Sequence, residues 1–172
     1  VNLASAQLHQ PGLLEHIQHL LNTCMLKPGF LQLKITESFI TCQAEEACEA
    51  LHRLKQLGVK LSIDDFGTGN SSLSYLKRLP LDTLKIDSSF IKGLPDDVHD
   101  AAIVHAIITL GHRLQLTIIA DGVETGAQRA FLAQAGCEHI QGAIVSAPLS
   151  AEKFAATFLR ISISDFSDST TE

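Results

Sequence analysis

Short apolar runs alternate with longer amphipathic stretches along this chain, and successive runs begin about 23 to 33 residues apart. That interval is the size of one βα unit, so the pattern calls for parallel strands joined through outer helices. The runs that read as strands are 31–36, 60–64, 83–87, 116–120 and 139–143, and residues 1–3 read as the tail of another. Helical patterns fall between them at 12–25, 44–57, 72–79, 97–114, 126–135 and 151–160. In the 97–114 segment, Ala101, Val104, Ile108 and Leu114 form an inward stripe. Gly58 and Gly136 stand where helix C-caps belong, and Ser150 where an N-cap belongs.

Two architectures satisfy this order, an open doubly wound sheet and a closed eight-stranded barrel. Five or six strands are too few to close that barrel, which needs about 250 residues. A length of 172 residues with 45% apolar content suits one domain with a real core. The net charge of −6, with no basic stripe, argues against a nucleic-acid coat. No apolar run approaches the roughly 20 residues that cross a bilayer, and residues 1–10 lack the basic-then-apolar order of a leader. The four cysteines (Cys24, Cys42, Cys48 and Cys137) have no CxxC spacing and read as buried reduced thiols. The close histidine pairs His16/His19 and His99/His105 read as solvated helix positions.

In either architecture the chemistry belongs at the carboxyl ends of the strands, where acids gather here. Asp64 and Asp65 end one run, Asp87 the next, and Asp121 and Glu124 follow the one after. Such acids either hold hard cations or cap the following helices. Capping suits a single Asp, whereas the adjacent Asp64 and Asp65, followed by Gly67-Thr68-Gly69, favour a cation origin. Lys85, between Leu84 and Ile86, faces away from the helix layer, and a buried ammonium there needs Asp64, Asp65 or Asp121 as partners. A purely stabilising ion network is the other reading.

The segment Asp64-Asp65-Phe66-Gly67-Thr68-Gly69-Asn70-Ser71-Ser72-Leu73 resembles the DDFGTGYSSL loop of the bacterial EAL domain, the cyclic-di-GMP phosphodiesterase family. Val1-Asn2-Leu3-Ala4, Ile35-Thr36-Glu37-Ser38, Leu84-Lys85-Ile86-Asp87, Asp121-Gly122-Val123-Glu124-Thr125 and Gln141-Gly142 match its other motifs in order. The resemblance implies an α/β fold, an incomplete TIM-type (β/α) barrel lacking its first strands, over residues 1–160, while the Ser, Thr and Asp content of 161–172 reads as a flexible polar tail. It implies a two-metal hydrolysis of cyclic di-GMP to pGpG in the family. Asn2, Asp64 and Asp65 match metal ligands, and Lys85 matches the lysine that orients the attacking water. Asp121 and Glu124 stand in the family's EGVET motif and Gln141 matches a site-lining residue. Glu37 matches the anchor of the loop that carries Gly67 and Gly69.

The departures carry as much weight. The family's metal-binding Glu three residues before Glu37 is Lys34 here, and the first Glu of EGVET is Asp121. The aromatic and basic positions after Gln141 are Ala143, Val145 and Ala147, and Asn70 replaces a Tyr. The Glu-Ala-Leu strand is expected to be missing as well. At about 4 Å and an effective dielectric near 20, Lys34 repels a divalent cation by roughly 8 kcal/mol, against about 4 kcal/mol for a millimolar site. Lys34 is therefore expected beside Asp64, where a cation would bind.

The resulting expectation is a degenerate EAL-type module of bacterial cyclic-di-GMP signalling, catalytically inactive and acting by regulation or protein contact. The alternatives are a metal-dependent phosphodiesterase or a non-hydrolysing cyclic-di-GMP receptor in the full-length chain. No cofactor is expected in this chain, with Mg²⁺ or Mn²⁺ if the site is functional. The expected partner is a protein or a second copy, with cyclic di-GMP weakly bound or absent, no nucleic acid and no membrane insertion. The expected location is the cytoplasm, within a larger membrane-attached signalling protein. Ile35, Ile63 and Ile118 are expected to line an open apolar interior that such a partner covers.

Overall fold

The computed structural model describes residues 1–8, 10–37, 44–69 and 76–159. Among these, the apolar runs become five parallel strands in chain order: β1 (Gln32–Thr36), β2 (Lys60–Phe66), β3 (Thr83–Ile86), β4 (Thr117–Ala120) and β5 (His139–Ile140). The Val1–Leu3 segment lies beyond β1. Lys34 N donates to Val1 O and Leu3 N to Lys34 O, both at 2.8 Å, and Asn2 bridges Lys34 in parallel register. The helices are α1 (Ser5–Leu8), α2 (Leu13–Thr23), α3 (Ala44–Gln56), α4 (Ser88–Lys92), α5 (Val98–Arg113), α6 (Gly126–Gln134) and α7 (Ala151–Phe154). A π-helical turn, Ala155–Leu159, follows α7.

The boundaries follow local chemistry. Asp87, Asp97 and Ser150 each accept backbone N–H bonds at the start of α4, α5 and α7, satisfying donors that a helix leaves open. Gly58 and Gly136 take left-handed φ values of 87° and 86° after α3 and α6. The last strand is shorter than the 139–143 run because Gln141 N and Val123 N bond across the gap to Ala120 O and Gln141 O instead. Half of the expected 72–79 helix, at 72–75, lies outside the described residues, as do the expected 161–172 tail and Cys42.

The core lies between the sheet and the helices. Ile35, Leu61, Ile63, Leu84, Ile86 and Ile118 are wholly buried there with Leu51 and Leu54 of α3 and Val104 and Ile108 of α5. Ile107 and Gly111 of α5 are buried too, beyond the expected stripe. A Cβ at Gly111 would fall 2.0 Å from Ile118 Cδ1, so this helix lies almost on β4. Shortening any of these isoleucines to Ala would cost about 3 kcal/mol.

This placement corrects the expectation that Ile35, Ile63 and Ile118 line an open interior. Side chains alternate along a strand, and these three take the helix side. The inner face is polar instead. Gln32 Nε2 donates to Thr83 Oγ1 at 2.9 Å, across a strand that carries Ser62 at 1% exposure, and Lys85 is 5% exposed on the same side. The cysteines need a correction as well: Cys24 is exposed at the end of α2, and Cys48 and Cys137 are only partly buried. The histidines of the two pairs are exposed. No helix among the described residues is long and apolar enough to cross a membrane.

An ionic cluster holds the amino ends of the strands. Asp82, just before β3, accepts from Leu61 N at 2.8 Å, from Lys60 Nζ at 3.0 Å and from Lys55 Nζ with both oxygens. Burial opposes the charge, but the Lys55, Leu61 and Lys60 hydrogen bonds prevail and hold the Asp82 pKa below the ordinary aspartate value.

Candidate metal centre

The carboxyl ends of the strands owe their geometry to an irregularity in β2. Ile63 pairs with Leu84 and Phe66 with Ile86, so Asp64 and Asp65 together oppose Lys85 alone. This extra residue bends the strand and turns both acids toward the inner face. Asp65 takes a left-handed φ of 55°, a conformation that Asp tolerates better than most residues but that still stores strain.

Lys85 is the hub. Its Nζ lies 2.7 Å from Asp121 Oδ2 and 3.3 Å from Asp64 Oδ1, with a side chain 6% exposed. Burial alone would lower its pKa. The Asp121 hydrogen bond and the Asp64 charge outweigh burial, and Lys85 is held protonated, above the ordinary lysine value. Asp64 also faces Lys34, whose Nζ is 3.8 Å from Oδ2. Its Oδ1 is buried and, though in ion-pair range of Lys85, accepts no hydrogen bond. Burial, then repulsion from Asp64 and Asp87, pushes the Asp65 pKa above the usual range.

Two loops frame this cluster. Glu37, at 3% exposure, accepts from Gly67 N at 2.8 Å and Gly69 N at 3.1 Å, both to Oε2. That carboxylate ties the end of β1 to the loop after β2. The 121–125 loop is fixed by Gln128, which sequence reading passed over. Its Oε1 accepts from Glu124 N and Thr125 N, its N–H bonds to Thr125 Oγ1, and its Nε2 donates to Ile91 O of α4. Thr125 and Gln128 form a capping box, a Thr-x-x-Gln pattern that is visible in the sequence. Gly142 makes the backbone approach possible beside this loop, since a Cβ there would meet Val123 O at 2.2 Å.

The expected site residues thus divide. Asp64, Lys85, Asp121 and Lys34 form one chain of contacts, and Asp65 stands within electrostatic reach of it. Asn2 is exposed at the Lys34 bridge, and Gln141 and Glu124 are exposed at the ends of β5 and of the 121–125 loop. Asp87 is a helix cap, accepting from Ser89 N at 2.9 Å, while Asp121 Oδ1 accepts from Gly122 N at 2.8 Å. Asp64 caps no described helix. The orphaned Asp64 oxygen is what a cation site would leave behind. The rest of the donor set does not fit one, because two ammoniums already face Asp64 and no three acidic, histidine or cysteine side chains among the described residues are placed to share an ion.

An incomplete (β/α) barrel with an acid–lysine cluster at its carboxyl mouth is the frame of one signalling family. The chain belongs to the EAL domain family, whose model matches residues 1–148. It is 46% identical over 157 residues to the bifunctional diguanylate cyclase/cyclic di-GMP phosphodiesterase MucR of Pseudomonas aeruginosa, which covers 91% of this chain and 23% of that protein. It is 42% identical to the signaling protein YkoW of Bacillus subtilis, covering 90% of this chain and 19% of that protein. The chain therefore spans about a fifth of the length of these relatives. Among solved structures, the MucR phosphodiesterase in complex with c-di-GMP matches with a TM-score of 0.85 at 47% identity, over 90% of this chain and 62% of that one. The EAL domain of Mycobacterium smegmatis DcpA matches at 0.89 and 37% identity, over 93% and 71%.

Proposed function

We propose that this chain is a non-hydrolysing EAL module of cyclic-di-GMP signalling, working in the cytoplasm as a regulatory or protein-contacting part of a larger protein. The barrel unit is assigned to residues 1–160 and a polar tail to 161–172. One observation carries the reading: Lys34 presents an ammonium to Asp64 at 3.8 Å, on the carboxylate that the family resemblance makes a metal ligand. A fixed positive charge there opposes a divalent cation, and without the cation no water is activated beside the phosphodiester. Protein contact is supported by Val145, Leu149, Phe154 and Phe158, which are 38–52% exposed around an open groove of about 880 Å³ beside β5.

The 46% identity to a phosphodiesterase favours a second reading, turnover with Mg²⁺ or Mn²⁺. In it Asn2, Asp64 and Asp65 hold the ions, Lys85 orients the nucleophile, Asp121 and Glu124 assist, and Gln141 lines the ligand. Incubation with cyclic di-GMP and Mn²⁺ separates the two. The expected outcome is no pGpG above background. Turnover that disappears in Lys85→Ala and Asp64→Ala would replace the first reading by the second.

A further inference from the structure

A second cluster of reactive side chains lies away from the acid–lysine site, where α3 meets the 76–79 turn. Cys48 stands one turn before the buried Leu51 of α3, at the rim of its packed face, and is itself only partly buried. With Glu49, His52, Arg53 and Arg78 it lines an open cleft of about 630 Å³. Its Sγ–H donates to Arg78 O at 3.5 Å, and His52 Nδ1, one helical turn on, is 3.6 Å from Sγ. That nitrogen is also 2.8 Å from Cys48 O. A carbonyl only accepts, so Nδ1 carries a proton and has the sulfur within reach as a second acceptor. Two guanidiniums against one carboxylate make the cleft positive, in a chain whose net charge is −6. The other described thiols are placed differently. Cys24 is exposed at the end of α2, and burial pushes the Cys137 thiol pKa above the ordinary cysteine value.

We infer that Cys48 is a thiolation site, which takes up an acidic low-molecular-weight thiol from its disulfide. Partly exposed thiols beside cationic groups are the ones that exchange. The carboxylates of such a disulfide pair with Arg53 and Arg78, which brings one of its sulfurs to Sγ. The Cys48 thiolate is the nucleophile, and His52 Nδ1–H faces the charge on its sulfur. A bond forms between Sγ and the nearer sulfur as the S–S bond of the disulfide breaks. The far half leaves as a thiolate and takes up one proton, replacing the one that Cys48 gave up. The small disulfide is itself the oxidant, and the protein keeps the mixed disulfide. That product has no S–H, so the tie from α3 to Arg78 O is lost, beside the turn that leads to Asp82 and β3. The site is independent of the acid–lysine cluster and acts whether or not the chain hydrolyses a nucleotide.

The full chain, carrying Cys42→Ser so that adducts are assigned without ambiguity, is incubated with glutathione disulfide or with uncharged hydroxyethyl disulfide. Peptide mass spectrometry follows the adduct at each cysteine, with Cys24 of the same molecule as the reference thiol. Relative to Cys24, Cys48 should react on the order of 10-fold faster with glutathione disulfide than with hydroxyethyl disulfide, and high salt should erase that preference. Arg53→Gln combined with Arg78→Gln should abolish it as well; both arginines are exposed, so the fold is kept. His52→Ala should slow both reagents alike, because the imidazole acts on the thiol and not on the incoming carboxylates. Equal relative rates for the two disulfides overturn the site, and so does a Cys48 left unmodified while Cys24 reacts. A preference that survives the loss of both arginines, or a His52→Ala chain reacting at the parent rate, overturns it too.

Discussion

Two lysine–aspartate clusters sit at opposite ends of the same sheet, and they are built to different standards. At the amino end, Asp82 takes one backbone and two lysine donors, all within 3.0 Å. At the carboxyl end, Asp64 is also flanked by two lysines, at 3.3 and 3.8 Å, and one of its oxygens goes without a hydrogen bond. The backbone differs in the same sense. Asp82 leads into a regular strand, whereas Asp64 and Asp65 occupy a bulge with a left-handed residue. The lesson is that two clusters of the same composition differ in how fully their hydrogen bonds are satisfied, which composition alone does not reveal.

This contrast can be broken by measurement. The largest effect is expected at Asp82→Ala, which strands Leu61 N–H and two ammoniums and should cost about 3 kcal/mol in urea unfolding. A cost below that of Asp64→Asn would reverse the comparison. Glu37→Ala should cost about 2 kcal/mol, since it orphans two backbone donors, and amide exchange at Gly67 and Gly69 should accelerate together. Unchanged exchange there would mean that the loop holds itself.

Asp64→Asn is expected to cost only about 1 kcal/mol, because Lys85 keeps Asp121 at 2.7 Å. The smallest effect lies in pH. The Asp82 pKa is lowered in the fold, so its stabilisation is full above the unfolded value of about 3.9 and is lost as pH falls through the folded value. The Asp65 pKa is raised, so the fold binds its proton more tightly and stability declines as pH rises from about 4 through the folded value. Carboxyl chemical shifts should show the two titrating on opposite sides of the ordinary aspartate value. Asp65→Asn should therefore move the urea midpoint slightly upward at pH 7 and not at pH 3. A shift of equal size at both values would assign the effect to backbone strain rather than charge.

Much of this architecture is legible in the residues. Apolar runs locate all five strands because parallel strands are covered by helices and read as continuous runs, and caps such as Ser150 and Gly136 announce helix ends. Lys85 betrays its inward direction through Leu84 and Ile86. The same alternation that turns Lys34 and Asp64 inward sends Ile35 and Ile63 to the helix side, so the expectation of an open apolar interior fails on a rhythm that the residues already carry, and a one-residue change of phase is all that separates the two faces. The bulge at Asp64–Asp65 leaves no local mark, because it is defined by the pairing with β3. Gln128 shows the opposite failure. Its capping-box spacing is plain in the sequence, but its reach to Ile91 O depends on a contact between distant helices.

The polar inner face has a consequence for how this chain tolerates change. Folding free energy is concentrated on the helix side of the sheet, where nearly every substitution leaves a cavity, while the inner side is stitched by a few replaceable hydrogen bonds such as Gln32–Thr83. Selection on the two sides is thereby decoupled. A lineage can exchange charges along the inner strands one residue at a time without passing through an unfolded intermediate, and Lys34 is the kind of replacement that such a path permits. A saturation library scored for folding alone should be intolerant at Ile35, Ile63 and Ile118 and more permissive at the inner-face positions Gln32 and Lys34 of β1.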